Sequence, residues 1–185
     1  MRYYKDKLKR ELKVIDHDEI TVVRAKKEDV FSDYLMSQLY DIVNNEETKK
    51  LLGSEFYDYI DFRLGWFYER LFSIESMFYY IVEDRKIKGY FEIRENTSEK
   101  FKGEVTIAFA VHSDYRRQGI AERGFTLIDM RLAKMGINKL YAKVKEINEP
   151  SLRFMKKVGF EEVDSEEIYY SQYDDTIKRM WLKRR

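Results

Sequence analysis

Thr106-Ile-Ala-Phe-Ala-Val-His-Ser-Asp-Tyr-Arg-Arg-Gln-Gly-Ile-Ala121 is the stretch of sequence that decides the fold. Apolar residues dominate its first part, through Val111, and predict a buried strand. A polar turn at Arg116–Ala121 follows, and an amphipathic pattern then predicts a helix from about Ile120 to Met135, ended by Gly136. A strand that passes through such a turn into a helix places the free N–H groups of the helix beside the strand end.

This turn has the properties of a phosphate-binding site. Gly119 permits a left-handed dihedral angle or close backbone approach, and Ala121 keeps the start of the helix small. The partial positive charge of a helix N-terminus attracts a phosphate or pyrophosphate, and Arg116, Arg117 and Gln118 could add donors. A strand–turn–helix with one glycine is also common, and paired arginines often form only a solvated face. The turn alone therefore leaves both interpretations open.

A second polar segment follows the next predicted strand, Lys139–Lys145. It reads Asn148-Glu-Pro-Ser-Leu-Arg-Phe-Met-Lys-Lys-Val-Gly-Phe160. Asn148 can form hydrogen bonds just beyond the strand end, and Pro150 suits the first turn of a helix predicted to reach Val158. Taken by itself, Asn148 could equally be a helix cap.

Together, the two segments resemble the acetyl-CoA signature of the GNAT superfamily of N-acetyltransferases. The first supplies Arg-x-x-Gly-x-Ala at Arg116–Ala121, and the second supplies Asn148-x-x-Ser151 followed by Lys157-Val-Gly-Phe160. Their order, their separation and the elements between them also match that family. The resemblance extends over roughly residues 20–182, by motif within 105–160 and by element order before that.

The whole pattern predicts a mixed α/β fold in a single domain, residues 19–185, preceded by a charged extension, residues 1–18, that a short helix would suit. The resemblance implies a GNAT-like central sheet, mixed but mostly antiparallel, of about six to seven strands flanked by helices. The expected order is β-α-α-β-β-β-α-β-α-β-β, and Asp84-Arg85 is expected to form a tight hairpin turn. The other predicted strands are Ile20–Arg24, Met77–Glu83, Ile87–Arg94, Glu162–Tyr170 and Thr176–Lys183, and the other predicted helices are Asp29–Val43 and Ser54–Phe72.

The resemblance also assigns cofactor-binding roles, with acetyl-CoA as co-substrate. Backbone groups of Ala110 and Val111 would pair with the pantetheine arm, which would insert where their strand splays from the strand at Lys139–Lys145. Asn148 would hydrogen-bond the pantetheine amides, and Ser151 would lie near the thioester. The implied cofactor-binding residues are Ala110, Val111, Arg116, Arg117, Gln118, Gly119, Ile120, Ala121, Asn148 and Ser151.

Attack of an amine on a thioester needs a neutral amine, a donor for the developing oxyanion and a thiolate that can leave. The N–H of Val111 would serve the oxyanion. Glu92 and Glu104 are the candidate general bases, and Ser151 is the third candidate catalytic residue. Many family members place a proton-donating Tyr where this chain has Met155. This departure resembles the RimJ/RimL-like, ribosomal-protein alanine acetyltransferase type.

Acceptor specificity is expected from Ser54–Phe72, which lines the acceptor side in the family. Its acidic residues could receive a cationic amine, although such a helix face is usually solvent-exposed; they are Glu55, Asp58, Asp61 and Glu69. The acceptor itself, a peptide N-terminus, a polyamine or another small amine, cannot be read from the sequence. Met155 and the lack of a sure base leave a non-catalytic acyl-CoA-binding sensor as the alternative.

The amino-acid composition restricts the other classes of function that are open to this protein. Lys plus Arg number 35 against 34 Asp plus Glu, so the net charge of +1 does not favour nucleic-acid binding, and the basic C-terminal end is interpreted as a solvated edge strand. The chain has no cysteine and only two histidines, which excludes disulfides and thiolate sites and predicts no metal centre. Neither a signal peptide nor a membrane span is visible, so a cytoplasmic protein is expected. Edge strands are compatible with a homodimer.

Overall fold

The computed structural model describes residues 20–52, 58–170 and 175–184. Seven strands form one sheet in the order β1-β2-β3-β4-β5-β7-β6. Neighbouring strands are antiparallel except β4 and β5, which are parallel. The predicted mixed, mostly antiparallel α/β fold is therefore confirmed. The strands are β1 Thr21–Arg24, β2 Ser76–Glu83, β3 Lys86–Glu95, β4 Val105–Val111, β5 Leu140–Lys145, β6 Glu161–Tyr170 and β7 Asp175–Arg184.

Five α-helices accompany the sheet: α1 Asp33–Val43, α2 Glu46–Leu52, α3 Tyr68–Phe72, α4 Ile120–Lys134 and α5 Glu149–Lys157. A π-helical segment, Asp61–Phe67, runs directly into α3, and the Tyr68 N–H reaches the Arg63 carbonyl five residues back. The predicted helix from Asp29 is wrong in its first turn. A 3-10 helix ends there, and Ser32 caps α1 by accepting the Leu35 N–H.

The helix α2 was not predicted from the sequence. Its buried residues, Thr48 and Lys49, are polar, so no apolar periodicity marks it. The predicted start of the next helix at Ser54 lies outside the described residues, as do Glu55 and residues 1–18. The described part of that predicted helix is confirmed as helical over Asp61–Phe72, although most of it is π-helical.

The hairpin between β2 and β3 forms as predicted without glycine. Asp84 and Arg85 take positive φ angles of 51° and 62°, which a two-residue turn between antiparallel strands requires at both central positions. The predicted C-terminal cap of α4 is also confirmed, because Gly136 has φ 79° and the Ile137 N–H reaches back to the Leu132 carbonyl.

The basic C-terminal strand is interior, and its interpretation as a sheet edge was wrong. β7 lies between β5 and β6, and β6 forms the edge of the sheet. The bases of β7 lie opposite acids of β6, an arrangement of opposite charges that is compatible with an interior position. The cross-strand pairs are Glu166 with Arg179, Glu167 with Lys178 and Glu161 with Lys183.

Two apolar layers cover the sheet. On one face, α4 and α5 pack through residues such as Phe125, Ile128 and Met155. On the other face, α1 and the π-helical segment bury Phe62 and Phe67. Each large side chain that is fully buried contributes about 1.5–3 kcal/mol to folding. No helix among the described residues is long and apolar enough to cross a membrane.

Candidate active site

β4 and β5 pair at one point and then separate. Thr106 of β4 lies opposite Tyr141 of β5, and within these two strands the register continues no further. β4 goes on to Val111 against β3, and β5 goes on to Lys145 against β7. A gap therefore opens between the carboxyl ends of two parallel strands, as the resemblance implied.

Strand alternation determines which backbone groups face this gap. The His112 N–H donates to the Lys88 carbonyl over 2.8 Å, and the Asn96 N–H donates to the Glu104 carbonyl over 2.8 Å. Even-numbered residues of β4 therefore turn their N–H and C=O groups toward β3, and odd-numbered residues turn theirs toward the gap. Of the two residues expected to bind the pantetheine arm, Val111 faces the gap. The backbone of Ala110 faces Tyr90 of β3, which corrects that expectation.

The turn before α4 has the expected conformation. Gly119 is the N-cap residue, with φ 75° and ψ 4°, and Arg117 also has a positive φ of 60°. No atom lies within 4 Å of the position that a Cβ on Gly119 would take, so the need for glycine is conformational. The first intrahelical bond runs from the Arg123 N–H to the Gly119 carbonyl, which leaves the N–H groups of Ile120 and Ala121 without a helical partner. These groups fit a pyrophosphate.

Two of the three side chains expected to add phosphate donors are engaged elsewhere. The Gln118 amide donates to the Asp114 carbonyl over 2.8 Å. The Arg116 guanidinium donates to the Val111 carbonyl over 3.1 Å and to Thr48 Oγ1 over 2.6 Å, and it also contacts the Glu47 carboxylate. The Arg117 side chain is exposed beside the helix start. The expectation of side-chain donors is therefore corrected for Arg116 and Gln118 and stays a prediction for Arg117. Pyrophosphate binding by the backbone N–H groups of residues 116–121, which the resemblance implies, also stays a prediction.

Asn148 and Ser151 lie at the carboxyl end of β5, across the gap from the turn. Asn148 is buried, and its Oδ1 accepts the Ser151 N–H over 3.2 Å, so it caps α5. Capping occupies the side-chain oxygen only. The Asn148 Nδ2 group keeps two protons with which to bind a pantetheine carbonyl. The cap and the cofactor roles are therefore compatible.

Met155 belongs to the core. It is only 1% exposed and packs in the layer beneath α4 and α5. Its neighbour Phe154 points toward β4. The centre of the Phe154 ring lies 5.0 Å from the centre of the Phe109 ring and 6.0 Å from the centre of the Phe125 ring. The position that carries a proton-donating Tyr in many family members is thus filled by a buried apolar side chain.

The two candidate bases lie at different positions along the paired strands β3 and β4. Glu92 is 5% exposed and pairs across the strands with Ala108, beside the gap. Glu104 precedes β4 and is ion-paired with Lys139. Four residues of strand separate Glu104 from Ala108, or about 13 Å. Glu104 lies at the end where β4 and β5 are joined, away from the open part of the gap. Both base assignments stay predictions, and position favours Glu92.

Glu92 is held by residues that the sequence did not single out. Arg70 Nε donates to Glu92 Oε2 over 3.2 Å, and Arg94 Nη1 lies 3.9 Å from Glu92 Oε1. The Arg70 guanidinium also stacks 3.9 Å above the Trp66 ring and donates to its carbonyl over 2.8 Å. Burial, and then the charge of Glu92, raise the pKa of Tyr90, so this phenol stays neutral.

Lys145 was also missed. It is 2% exposed, and its Nζ donates to the Lys50 carbonyl over 2.7 Å and lies 4.1 Å from the centre of the Tyr170 ring. Burial, aided by Arg179 and Lys50, lowers the pKa of Lys145 to about 8. A lysine within an alternating strand carries no signal that could have revealed this environment. Among the described residues, no group of three or more His, Asp or Glu side chains is arranged to hold a metal ion.

Comparison with known proteins agrees with this geometry. Residues 36–160 match the family described as the acetyltransferase (GNAT) family. Over 68 residues, 36% of this chain, it is 34% identical to alpha/beta-tubulin-N-acetyltransferase 9 of Mus musculus, and the match spans only 28% of that protein.

Solved structures share the fold. The yncA protein of Salmonella typhimurium, solved with its cofactor acetyl-CoA, has a TM-score of 0.64 at 16% identity, over 89% of this chain and 92% of that one. The ribosomal-protein-S18-alanine N-acetyltransferase of Escherichia coli has a TM-score of 0.61 at 15% identity, over 90% and 93%. The neighbours thus include the ribosomal-protein alanine type that Met155 suggested.

Proposed function

The chain belongs to the GNAT family of acetyltransferases, with acetyl-CoA as its acetyl donor, and we propose that it acetylates a primary amine by direct attack in a ternary complex. The observation that carries this proposal is the gap after Thr106 and Tyr141, with the Val111 N–H facing into it. The glycine turn at the same edge of the sheet supplies N–H groups for the pyrophosphate.

In the proposed reaction, the amine nitrogen forms a bond to the acetyl carbon, the carbon–sulfur bond breaks, and CoA leaves as the thiolate. Val111 would donate its N–H to the acetyl oxygen as negative charge develops there. Glu92 would accept the proton that the amine loses, directly or through one water. Arg70 orients the Glu92 carboxylate for this role. Binding both substrates side by side supplies much of the remaining acceleration.

A dedicated acid is not required in this proposal. A thiol has a pKa of about 8.5, so the thiolate is a competent leaving group near neutral pH. The buried Met155 is consistent with that simpler departure. Ser151, half-buried on the first turn of α5, stays a candidate for contact with the thioester.

A peptide amine is the acceptor class to test first. The names of two similar proteins refer to acetylation of proteins, alpha/beta-tubulin and an alanine of ribosomal protein S18. Polyamines and other small amines form the second group of a panel.

One alternative function has an observation behind it. The apolar Met155 in place of the usual Tyr would also fit a protein that binds acyl-CoA without transferring the acyl group. The two functions differ in whether any amine releases free CoA thiol.

The test is calorimetric titration with acetyl-CoA, followed by thiol release from acetyl-CoA over peptides, polyamines and small amines. Micromolar binding together with amine-dependent thiol release supports the transferase. Binding without release from any amine supports the acyl-CoA-binding alternative. Absence of binding contradicts both.

Homodimerisation and a cytoplasmic location stay predictions. The β6 strand offers an open sheet edge, but its acids Glu161, Glu162 and Glu167 would repel a second copy. Sedimentation equilibrium at several concentrations measures the oligomeric state directly.

A further inference from the structure

The unpredicted helix α2 is tied to both sides of the gap between β4 and β5. Its first turn is bound by Arg116, which follows β4, through Glu47 and Thr48. The carbonyl of Lys50 in its last turn accepts from Lys145 at the end of β5. Lys145 alternates with Val144, which packs under α4 and α5, so α2 lies on the opposite face, where Glu92 is.

The hydrogen-bond donors of the Arg116 side chain are occupied by this connection. Its planar guanidinium reaches three different acceptors: the Val111 carbonyl, the Thr48 hydroxyl and the Glu47 carboxylate. Thr48 is only 2% exposed, so its hydroxyl is held in place by the helix around it. A single-nitrogen ammonium could not bridge the same three acceptors in that geometry.

The contact with Val111 has an electrostatic consequence for the gap. The Val111 carbonyl points to the same side as the Val111 N–H, and a bare carbonyl oxygen would repel negative charge developing nearby. Arg116 binds that oxygen over 3.1 Å, which leaves the N–H as the polar group of Val111 that is open to a ligand. The charge of Arg116 is in turn balanced by Glu47.

We propose that Arg116 is a positioning residue that fixes α2 across the gap and holds Val111 for catalysis, and that it takes no part in phosphate binding. α2 then forms a wall of the acceptor cleft. This last point rests on the proposed function, whereas the connection between Arg116 and α2 does not. The neighbouring Arg117, exposed at the same helix start, is the side chain left for the pyrophosphate.

The test compares Arg116→Met with Arg117→Met, two neighbouring substitutions that remove the same charge. Hydrogen exchange of peptides covering residues 46–52 reports on α2 without any ligand, and calorimetry reports acetyl-CoA binding. For Arg116→Met we expect exchange in α2 to accelerate about tenfold or more, with the Kd for acetyl-CoA changed by less than about threefold. For Arg117→Met we expect unchanged exchange and binding weakened about tenfold.

Steady-state kinetics distinguish a positioning role from a purely structural one, because a purely structural role would not change the acceptor KM and kcat while sparing the KM for acetyl-CoA. With the best amine from the panel, Arg116→Met should raise the acceptor KM and lower kcat while the KM for acetyl-CoA stays close to wild type. Arg116→Lys should restore neither the α2 exchange rate nor the acceptor KM, because it keeps the charge but loses the fork.

The opposite pattern overturns the proposal. If Arg116→Met weakens acetyl-CoA binding tenfold and Arg116→Lys restores it, while α2 exchange is unchanged, Arg116 is a phosphate ligand. Should Arg116→Met fail to fold, Thr48→Val tests the same contact from α2 with nearly constant volume. It should accelerate exchange in residues 46–52 and leave acetyl-CoA binding unchanged, and unchanged exchange would contradict the proposal.

Discussion

Thr106 of β4 lies opposite Tyr141 of β5, at the point from which the two parallel strands diverge. The role assigned to each of the following groups depends on which side of this pair the group lies. Val111 and Asn148 lie beyond it at the open end, and Glu104 lies before it at the joined end. Substitutions on the two sides of the pair should therefore affect different properties of the protein.

Gly119→Glu should abolish acetyl-CoA binding while the protein still folds. The residue has φ 75°, which costs a side chain about 1 kcal/mol, and the added carboxylate would repel the pyrophosphate. The matched control is Gly136→Glu, at φ 79° beyond the other end of the same helix. Calorimetry should show a loss of at least about thirtyfold for Gly119→Glu and little change for the control. Equal affinities would disprove the pyrophosphate assignment.

Glu92→Gln should lower kcat about a hundredfold, since a general base contributes roughly that much or more. Glutamine keeps an oxygen that accepts from Arg70, so the fold should survive with a loss of about 1–3 kcal/mol. Glu104→Gln, at the joined end of β4, serves as the control and should keep kcat within about threefold. Rates of thiol release and urea unfolding would measure both effects. A larger loss of kcat in Glu104→Gln than in Glu92→Gln would identify Glu104 as the general base instead.

Met155→Tyr should destabilise the protein rather than supply the missing acid. Met155 is 1% exposed, so a larger ring would overpack the core and bury a hydroxyl, at a cost of about 1–3 kcal/mol. Met155→Leu keeps nearly the same volume and should cost less than about 1.5 kcal/mol. Urea denaturation compares the two. A fully stable Met155→Tyr protein with higher kcat would show that the site has room for the usual acid.

Lys145 should make stability rise with pH above about 8. Its pKa in the folded protein is about 8, against an ordinary value of 10.5, because burial disfavours the ammonium and Arg179 and Lys50 are nearby cations. Between these two values the unfolded state binds more protons than the folded state, so the free energy of unfolding increases with pH. In the Lys145→Arg variant the side chain stays charged, so its free energy of unfolding should not show this increase with pH.

Urea midpoints of the wild type and Lys145→Arg at several pH values from 7 to about 10.5 test this prediction. The wild type should gain stability relative to the variant across the upper part of that range. Parallel profiles for the two proteins would refute the assignment of a lowered pKa to Lys145.

Local chemistry explains which parts of the site were predictable. The β4 strand, the glycine turn and the start of α4 are adjacent in the chain, so one stretch of residues contains the strand, the left-handed Gly119 and the free N–H groups. Asn148 was recognised because a side-chain hydrogen bond at a helix start is also local. The hairpin at Asp84 and Arg85 was placed by the two flanking strands rather than by its own residues.

Contacts between distant residues account for what was not predicted. Arg116 and Thr48 are 68 positions apart, and Arg70 and Glu92 are 22 apart, so neither pair leaves a periodic signal. The helix α2 is polar where it is buried, and the bases of the interior strand β7 lie opposite acids of β6, a strand separate from it in the pattern of the sequence.

The amino-acid sequence by itself determined the family, the acetyl donor and the order of the elements other than α2, because the two motifs carry backbone chemistry that depends on neighbours in the chain. Only the tertiary structure decided that Val111 rather than Ala110 faces the gap, that Glu92 rather than Glu104 stands beside it, and that Arg116 binds α2. The physical reason is that hydrogen-bond alternation between strands and the pairing of charged side chains depend on which strands and helices meet in space.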